Sequence, residues 1–183
     1  NTANIESLLA ARPDIVLTEA GSMLTALKAA GLPAYAFSAE QPGQLVDGIT
    51  RMGQLTGRVQ QAQKAVDLLN SRMKMVTDAV AALQAAQRPR VYVAGSGIFK
   101  TFGGDFFQTF MVRNAGGVSV SEGISGGKID VSPEQVLAWN PDVIILTSYT
   151  QDTVSAVLAN PKLQNVAAVI NKRVYVMPKY IVS

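Results

Sequence analysis

The 183-residue chain contains neither histidine nor cysteine, so the commonest general base, the soft metal ligand and the thiolate nucleophile are all missing. Any chemistry must come from hydroxyls, phenols, carboxylates, amines and backbone N–H groups. Their densest grouping is Gly95-Ser96-Gly97-Ile98-Phe99-Lys100-Thr101-Phe102-Gly103-Gly104, directly after the apolar run Val91–Ala94. Strand followed by Gly-x-Gly is how a dinucleotide fingerprint begins. Here Lys100 occupies the third glycine position and no Gly-Lys-Ser/Thr follows, which leaves a nucleotide-dependent enzyme as an alternative only. Tyr149 and Tyr180 each follow an apolar run; phenols at such places are most often half-buried amphipathic side chains.

The elements that carry these residues follow from apolar spacing. Residues 4–11 read as a short helix with Ile5, Leu8 and Leu9 on one face, and Pro13 breaks it before the strand Ile15-Val16-Leu17. Beyond Gly21 comes a second helix, ended by Gly31, and then a strand over Ala34–Phe37. From Pro42 the periodicity is helical, with a break at Gly53 to Gly57. Ala62, Val66, Leu69, Met73, Val76, Val80 and Leu83 then form one stripe along roughly 28 residues of helix. A coiled-coil seam is an alternative reading of that stripe, although e/g charges are sparse.

After Pro89 the pattern alternates again: a strand over Arg90–Ala94, a glycine-rich loop to Gly104, and a helix over Asp105–Ala115 closed by Gly116-Gly117. A polar loop follows, and a helix then starts at Ser132-Pro133 with an N-cap and a first-turn proline. Val143–Leu146 is wholly apolar, as strands inside parallel sheets are. A helical stretch at 152–159, a turn at Asn160-Pro161 and a strand near Val174–Met177 complete the chain. The organisation expected is α/β, with a partial N-terminal lobe over 1–41, a helical connector over 42–87 and a C-terminal lobe over 88–183.

Composition excludes several classes. With 48% apolar residues the chain can bury a core, and its charge of +3 is spread without the basic blocks that follow a phosphate backbone, so nucleic acid is not an expected partner. No run approaches the roughly 18 apolar residues of a membrane span, and the stretch from Asn1 does not read as a signal sequence.

One phrase occurs twice. NIESLLAARPDIVL and SPEQVLAWNPDVIIL place Glu6, Leu9, Ala10, Pro13 and Asp14 at an offset of 128 residues from Glu134, Leu137, Ala138, Pro141 and Asp142. Helix, Pro-Asp turn and buried strand is a common α/β fragment, but the following polar loop, helix and strand repeat as well. Two similar α/β lobes are expected, with ligands outside the carboxyl ends of their strands. In the first lobe those ends hold Glu19 and Ser22; in the second, residues 95–104, Tyr149 and Tyr180. The two Pro-Asp pairs are expected to hold their turns.

The stretches NIESLLAARPDIVL, GLPAYAF, MGQLTGRVQQAQKAV, RVYVAG, GGDFFQTFMVRNAGG, VSPEQVLAWNPDVIIL and NKRVYVMP follow one another over nearly the whole chain. In that order they resemble the substrate-binding proteins of ABC importers for iron-siderophore, haem and cobalamin-type ligands. The resemblance implies two Rossmann-like lobes with central parallel sheets, joined by one long α-helix. It also implies capture of an iron complex or cobalamin-type ligand between the lobes and delivery to a membrane permease. A monomer without a cofactor or catalytic reaction is implied, acting in the periplasm or anchored on the outer face of the cytoplasmic membrane. A metal oxyanion such as molybdate, which some relatives bind, is the alternative ligand; a Rossmann-like nucleotide-dependent enzyme is an alternative of another class. Family members extend beyond both ends of these motifs, so the chain is expected to be a trimmed form.

On this resemblance, Ser96 and Thr101 hydroxyls with backbone N–H groups would hold oxygen atoms of a chelate, Lys100 would meet its negative charge, and Phe99 and Phe102 would form apolar walls. Tyr149 and Tyr180 would bond the chelate or ligate iron, since no histidine competes; Glu19 and Ser22 are the first-lobe candidates. One surface acid per lobe would dock with basic permease residues, which falls on Glu6 and Glu134. Their ordinary reading is that of solvated acids favouring a helix N-terminus.

Overall fold

A computed structural model describes residues 4–19, 21–38 and 41–178. The chain forms two compact units, Asn1–Asp67 and Leu68–Ser183.

In the first unit, α1 (Ile5–Ala11) starts where the Asn4 side chain accepts the Glu6 N–H at 2.9 Å, and it ends at Arg12 in the left-handed region, φ 47°. Strand β1 (Val16–Thr18) follows; α2 (Ser22–Ala29) then crosses to β2 (Ala34–Ala36), which pairs parallel to β1 with Val16 opposite Ala34. Leu27 and Leu32 are the buried anchors of this crossover. Helix α3 (Pro42–Leu55) ends at Thr56 and Gly57, whose φ of 67° suits glycine. Helix α4 (Val59–Val80) packs so closely on α3 that a Cβ on Gly53 would collide with the Ala62 side chain. The boundary between the units falls within α4.

The long helix is shorter than its apolar stripe predicts. It has 22 residues and stops at Val80, about 33 Å at 1.5 Å per residue. There the bonding tightens: Ala81 N–H donates to Asp78 O and Leu83 N–H to Val80 O, three residues back. Val80 and Leu83 instead close on Gly116, where an added Cβ would meet them at 2.9 and 3.0 Å. Stripe spacing reports which residues seek a core, not how long the helix lasts. Val76, in the middle of the stripe, is 46% exposed.

The second unit is built on a four-stranded parallel sheet of order β5-β3-β7-β8. Strand β3 (Arg90–Ala94) leads by a turn to β4 (Lys100–Phe102), α5 (Phe107–Asn114), β5 (Val118–Ser119) and β6 (Lys128–Asp130). Next come α6 (Pro133–Trp139), β7 (Val143–Leu146), α7 (Val154–Leu158), α8 (Ala167–Ile170) and β8 (Val174–Val176). Tyr92 and Ala94 face a cluster with Val136, Ile144, Leu146 and Val166, whereas Val91 and Val93 face Phe102, Val112 and Val143. Both sheet faces are covered, which is why β3 and β7 are apolar at successive positions.

Two loops expected between these elements are partly strand. Within 95–104 and 121–130, β4 and β6 pair antiparallel, Lys100 opposite Asp130 and Phe102 opposite Lys128. Three residues per strand are too few to display an alternating pattern. The glycines beside them are consequences of close packing: a Cβ on Gly103 would collide with Gly126 O and one on Gly104 with Glu122 O. Helix α8 was also absent from the spacing.

The repeated phrase is a repeated structure. The same offset of 128 carries the N-cap Asn4 onto the N-cap Ser132, whose side chain accepts the Gln135 N–H, and Arg12 onto Asn140, also left-handed at φ 41°. The second aspartate does more than hold a turn. Asp142 Oδ2 accepts the Arg90 N–H at 2.8 Å and Asp142 N–H donates to Arg90 O at 2.8 Å, tying the start of β7 to β3.

Candidate functional site

A cavity of about 170 Å³ opens at the carboxyl ends of β3 and β7 in the second unit. Gly95 and Ser96 come from the turn after β3, and Lys100 to Phe102 from β4. Lys128 to Asp130 come from β6, and Tyr149 from the segment after β7.

The turn after β3 directs its acceptors into the protein. Gly95 O accepts the Thr147 hydroxyl at 2.8 Å, Ser96 O the Gln151 N–H at 3.2 Å, Gly97 O the Lys100 N–H at 3.0 Å, and Ile98 O the Tyr92 phenol at 2.7 Å. Asp152 Oδ2 takes the Ile98 N–H at 2.6 Å. The N–H groups of Ser96 and Gly97 have no protein acceptor among the described residues. Four carbonyls are thus satisfied by the fold while two adjacent donors remain, a polarity that favours an anion; of the two, Ser96 lines the cavity and Gly97 does not.

The charges agree with that polarity. Lys100 Nζ lies 2.6 Å from Asp130 Oδ1, whereas Lys128 has no ion pair among the described residues. Strand alternation puts Lys100, Lys128 and Asp130 on one face of the β4–β6 ribbon, two amines to one carboxylate.

Of the residues proposed from sequence, Ser96, Lys100, Thr101, Phe102 and Tyr149 come together here. Two of them have other duties. Thr101 is 1% exposed and its hydroxyl donates to Val93 O at 2.8 Å, so its proton is engaged by β3. Phe102 is core, stacked on Phe106 with ring centroids 5.6 Å apart. Phe99 is not among the lining residues; it packs against the cluster around Tyr92 and Ile144. Tyr180 lies outside the described residues. Glu19 and Ser22 are exposed at the end of β1 and the start of α2, in the first unit. Lys128 and Asp130 were missed because β6 was read as loop. Their signal was present, since charges at i and i+2 flank apolar Ile129.

Glu6 and Glu134 are both exposed. The Glu134 carboxyl sits below the usual carboxylate range, chiefly through its own backbone N–H, then the Ser132 side chain and, more weakly, the charge of Lys162. No cluster of acidic side chains suited to a metal ion occurs among the described residues, and no helix is long and apolar enough to cross a membrane.

The fold is α/β, and the family model for periplasmic binding proteins matches residues 1–181. The chain belongs to the periplasmic binding protein family. It is 28% identical to the molybdate-binding protein MolA of Haemophilus influenzae, an alignment covering 98% of this chain and 58% of that protein. The structure of MolA bound to molybdate superposes with a TM-score of 0.86, over 98% of this chain and 62% of that one.

Helicobacter pylori CeuE with Ni(II) bound superposes with a TM-score of 0.83 at 20% identity, covering 97% of this chain and 59% of that one. An ABC-type Fe3+-hydroxamate transport system structure from Saccharomonospora viridis gives 0.75 at 23%, covering 94% and 63%. These two establish likeness of fold. The chain spans less than two thirds of the length of each of these relatives.

Proposed function

We propose that the chain is the solute-binding part of an ABC importer, working outside the cytoplasmic membrane, and that its cargo is a small metal oxyanion of the molybdate type. The observation that carries this is the turn after β3, with its carbonyls consumed by the fold and the N–H of Ser96, which lines the cavity, without a protein acceptor among the described residues. Around it stand the Ser96 hydroxyl and two lysines. A cavity of about 170 Å³ is smaller than the roughly 300–1,000 Å³ of drug-sized sites, which suits a tetrahedral ion. The likeness to MolA supports the same cargo.

A second reading, an iron complex of siderophore, haem or cobalamin type, is favoured by Tyr149. The residue is 44% exposed at the cavity wall, and a phenolate is a competent ligand for ferric iron. Calorimetric titration with molybdate, tungstate, a ferric hydroxamate and haem separates the two: the first reading expects micromolar or tighter binding of the oxyanions alone. Binding of the ferric compounds alone would replace it with the second.

Delivery would use a membrane permease, docked through Glu6 and Glu134, which occupy equivalent places in α1 and α6. Charges of this kind govern encounter and orientation more than affinity. Glu6→Ala with Glu134→Ala in the full-length protein is expected to leave cargo affinity unchanged and to abolish uptake by cells. A loss of affinity would remove the docking assignment.

A further inference from the structure

Resting on the reading of this cavity as an anion site, we infer that Asp130 is a built-in competitor for the ligand's place on Lys100, one that restrains affinity so that cargo can leave. Lys100 and Asp130 are direct cross-strand partners in the β4–β6 ribbon, with Nζ and Oδ1 2.6 Å apart. Both line the cavity together with Lys128, two residues along the same strand face. The carboxylate therefore already sits where an oxyanion oxygen would sit. An entering anion separates the pair or shares the amine, and in either case it approaches a negative charge.

Restraint of this type depends on ligand charge. Removing one negative charge raises the local potential, and the gain for a bound ion scales with its charge. A dianion gains twice what a monoanion of the same shape gains. Side chains of the pair are 55% and 80% exposed, so solvent screens it and the effect is modest. Exposed pairs are worth about 0.2–1 kcal/mol, which corresponds to a change of about 1.4- to 5-fold in affinity. An antiparallel ribbon holds the two side chains in register, which keeps the competitor in place without further contacts.

The test titrates wild type, Asp130→Asn, Asp130→Glu, Lys100→Gln and the Lys100→Gln, Asp130→Asn pair with molybdate and with perrhenate, a singly charged tetrahedral oxyanion. Asp130→Asn is expected to tighten molybdate about 1.4- to 5-fold and perrhenate by less, while Asp130→Glu restores wild-type affinity. In the Lys100→Gln background the part of the gain that comes from freeing the amine should disappear, leaving the smaller part due to relieved repulsion, a coupling that a merely structural role of Asp130 would not produce. Thermal denaturation of each variant checks that the fold is intact.

If wild type binds molybdate and Asp130→Asn binds it equally or more weakly, the inference is overturned and the oxyanion reading stands. If wild type binds neither ion but Asp130→Asn acquires molybdate binding, the inference holds and molybdate is not the natural cargo. If neither protein binds either ion, both are overturned.

Discussion

Tyr92 joins the core to the candidate site. Its ring lies in the main cluster of the second unit, and its hydroxyl donates to Ile98 O in the turn after β3, whose Gly95 and Ser96 line the cavity. Burial raises its pKa well above the ordinary tyrosine value. Because the folded value lies above the unfolded one, this phenol's contribution to stability is complete below about pH 10 and is lost as pH rises beyond it. Urea midpoints measured from pH 8 to 11.5 should therefore fall more steeply above pH 10 in wild type than in Tyr92→Phe. At pH 8 the variant should be about 1 kcal/mol less stable, because Ile98 O loses its donor. Parallel pH profiles would remove Tyr92 from this role. The phenol's importance was not legible in the run Arg90–Ala94, where it reads as one more apolar position; only the contact with Ile98 marks it.

Among the elements, the two copies of the helix-turn-strand unit invite a paired experiment. Both helices end on a non-glycine residue in the left-handed region, Arg12 at φ 47° and Asn140 at φ 41°, a conformation that costs most side chains about 1 kcal/mol and glycine almost nothing. Arg12→Gly is thus expected to stabilise the protein by about 0.5 kcal/mol. Asn140→Gly is expected to destabilise it by about 1 kcal/mol, since Asn140 Oδ1 accepts the Ala167 N–H at 2.8 Å and that bond would be lost. Chemical denaturation of the two variants should give shifts of opposite sign; shifts of the same sign would mean that the caps do not differ in this way. The repeat was legible because Pro13 and Pro141 stop both helices at the same place. That Asn140 also caps α8 was not, for its partner lies 27 residues away.

At the scale of the molecule, the two units differ in how much they bury. Among the described residues, Leu27, Leu32 and Val66 are the buried apolar side chains of the first unit, and all the others belong to the second. Hydrogen exchange under native conditions should show the slowest amides in β3 and β7, with β1 and β2 opening at distinctly lower free energy. Equal protection in the two sheets would mean that both open only by global unfolding. The sequence by itself determined the α/β alternation, the parallel strands Arg90–Ala94 and Val143–Leu146, and the equivalence of α1 with α6. These depend on local periodicity, on caps and on proline, which act within a few residues. Only the tertiary structure decided that Lys100 meets Asp130, that Thr101 is engaged by Val93, that Phe99 turns into the core, and that the carbonyls of the turn after β3 are satisfied from Tyr92, Thr147 and Gln151. Such pairings join residues up to about fifty positions apart, and no period in the sequence encodes which partner the folded chain will bring within hydrogen-bonding distance.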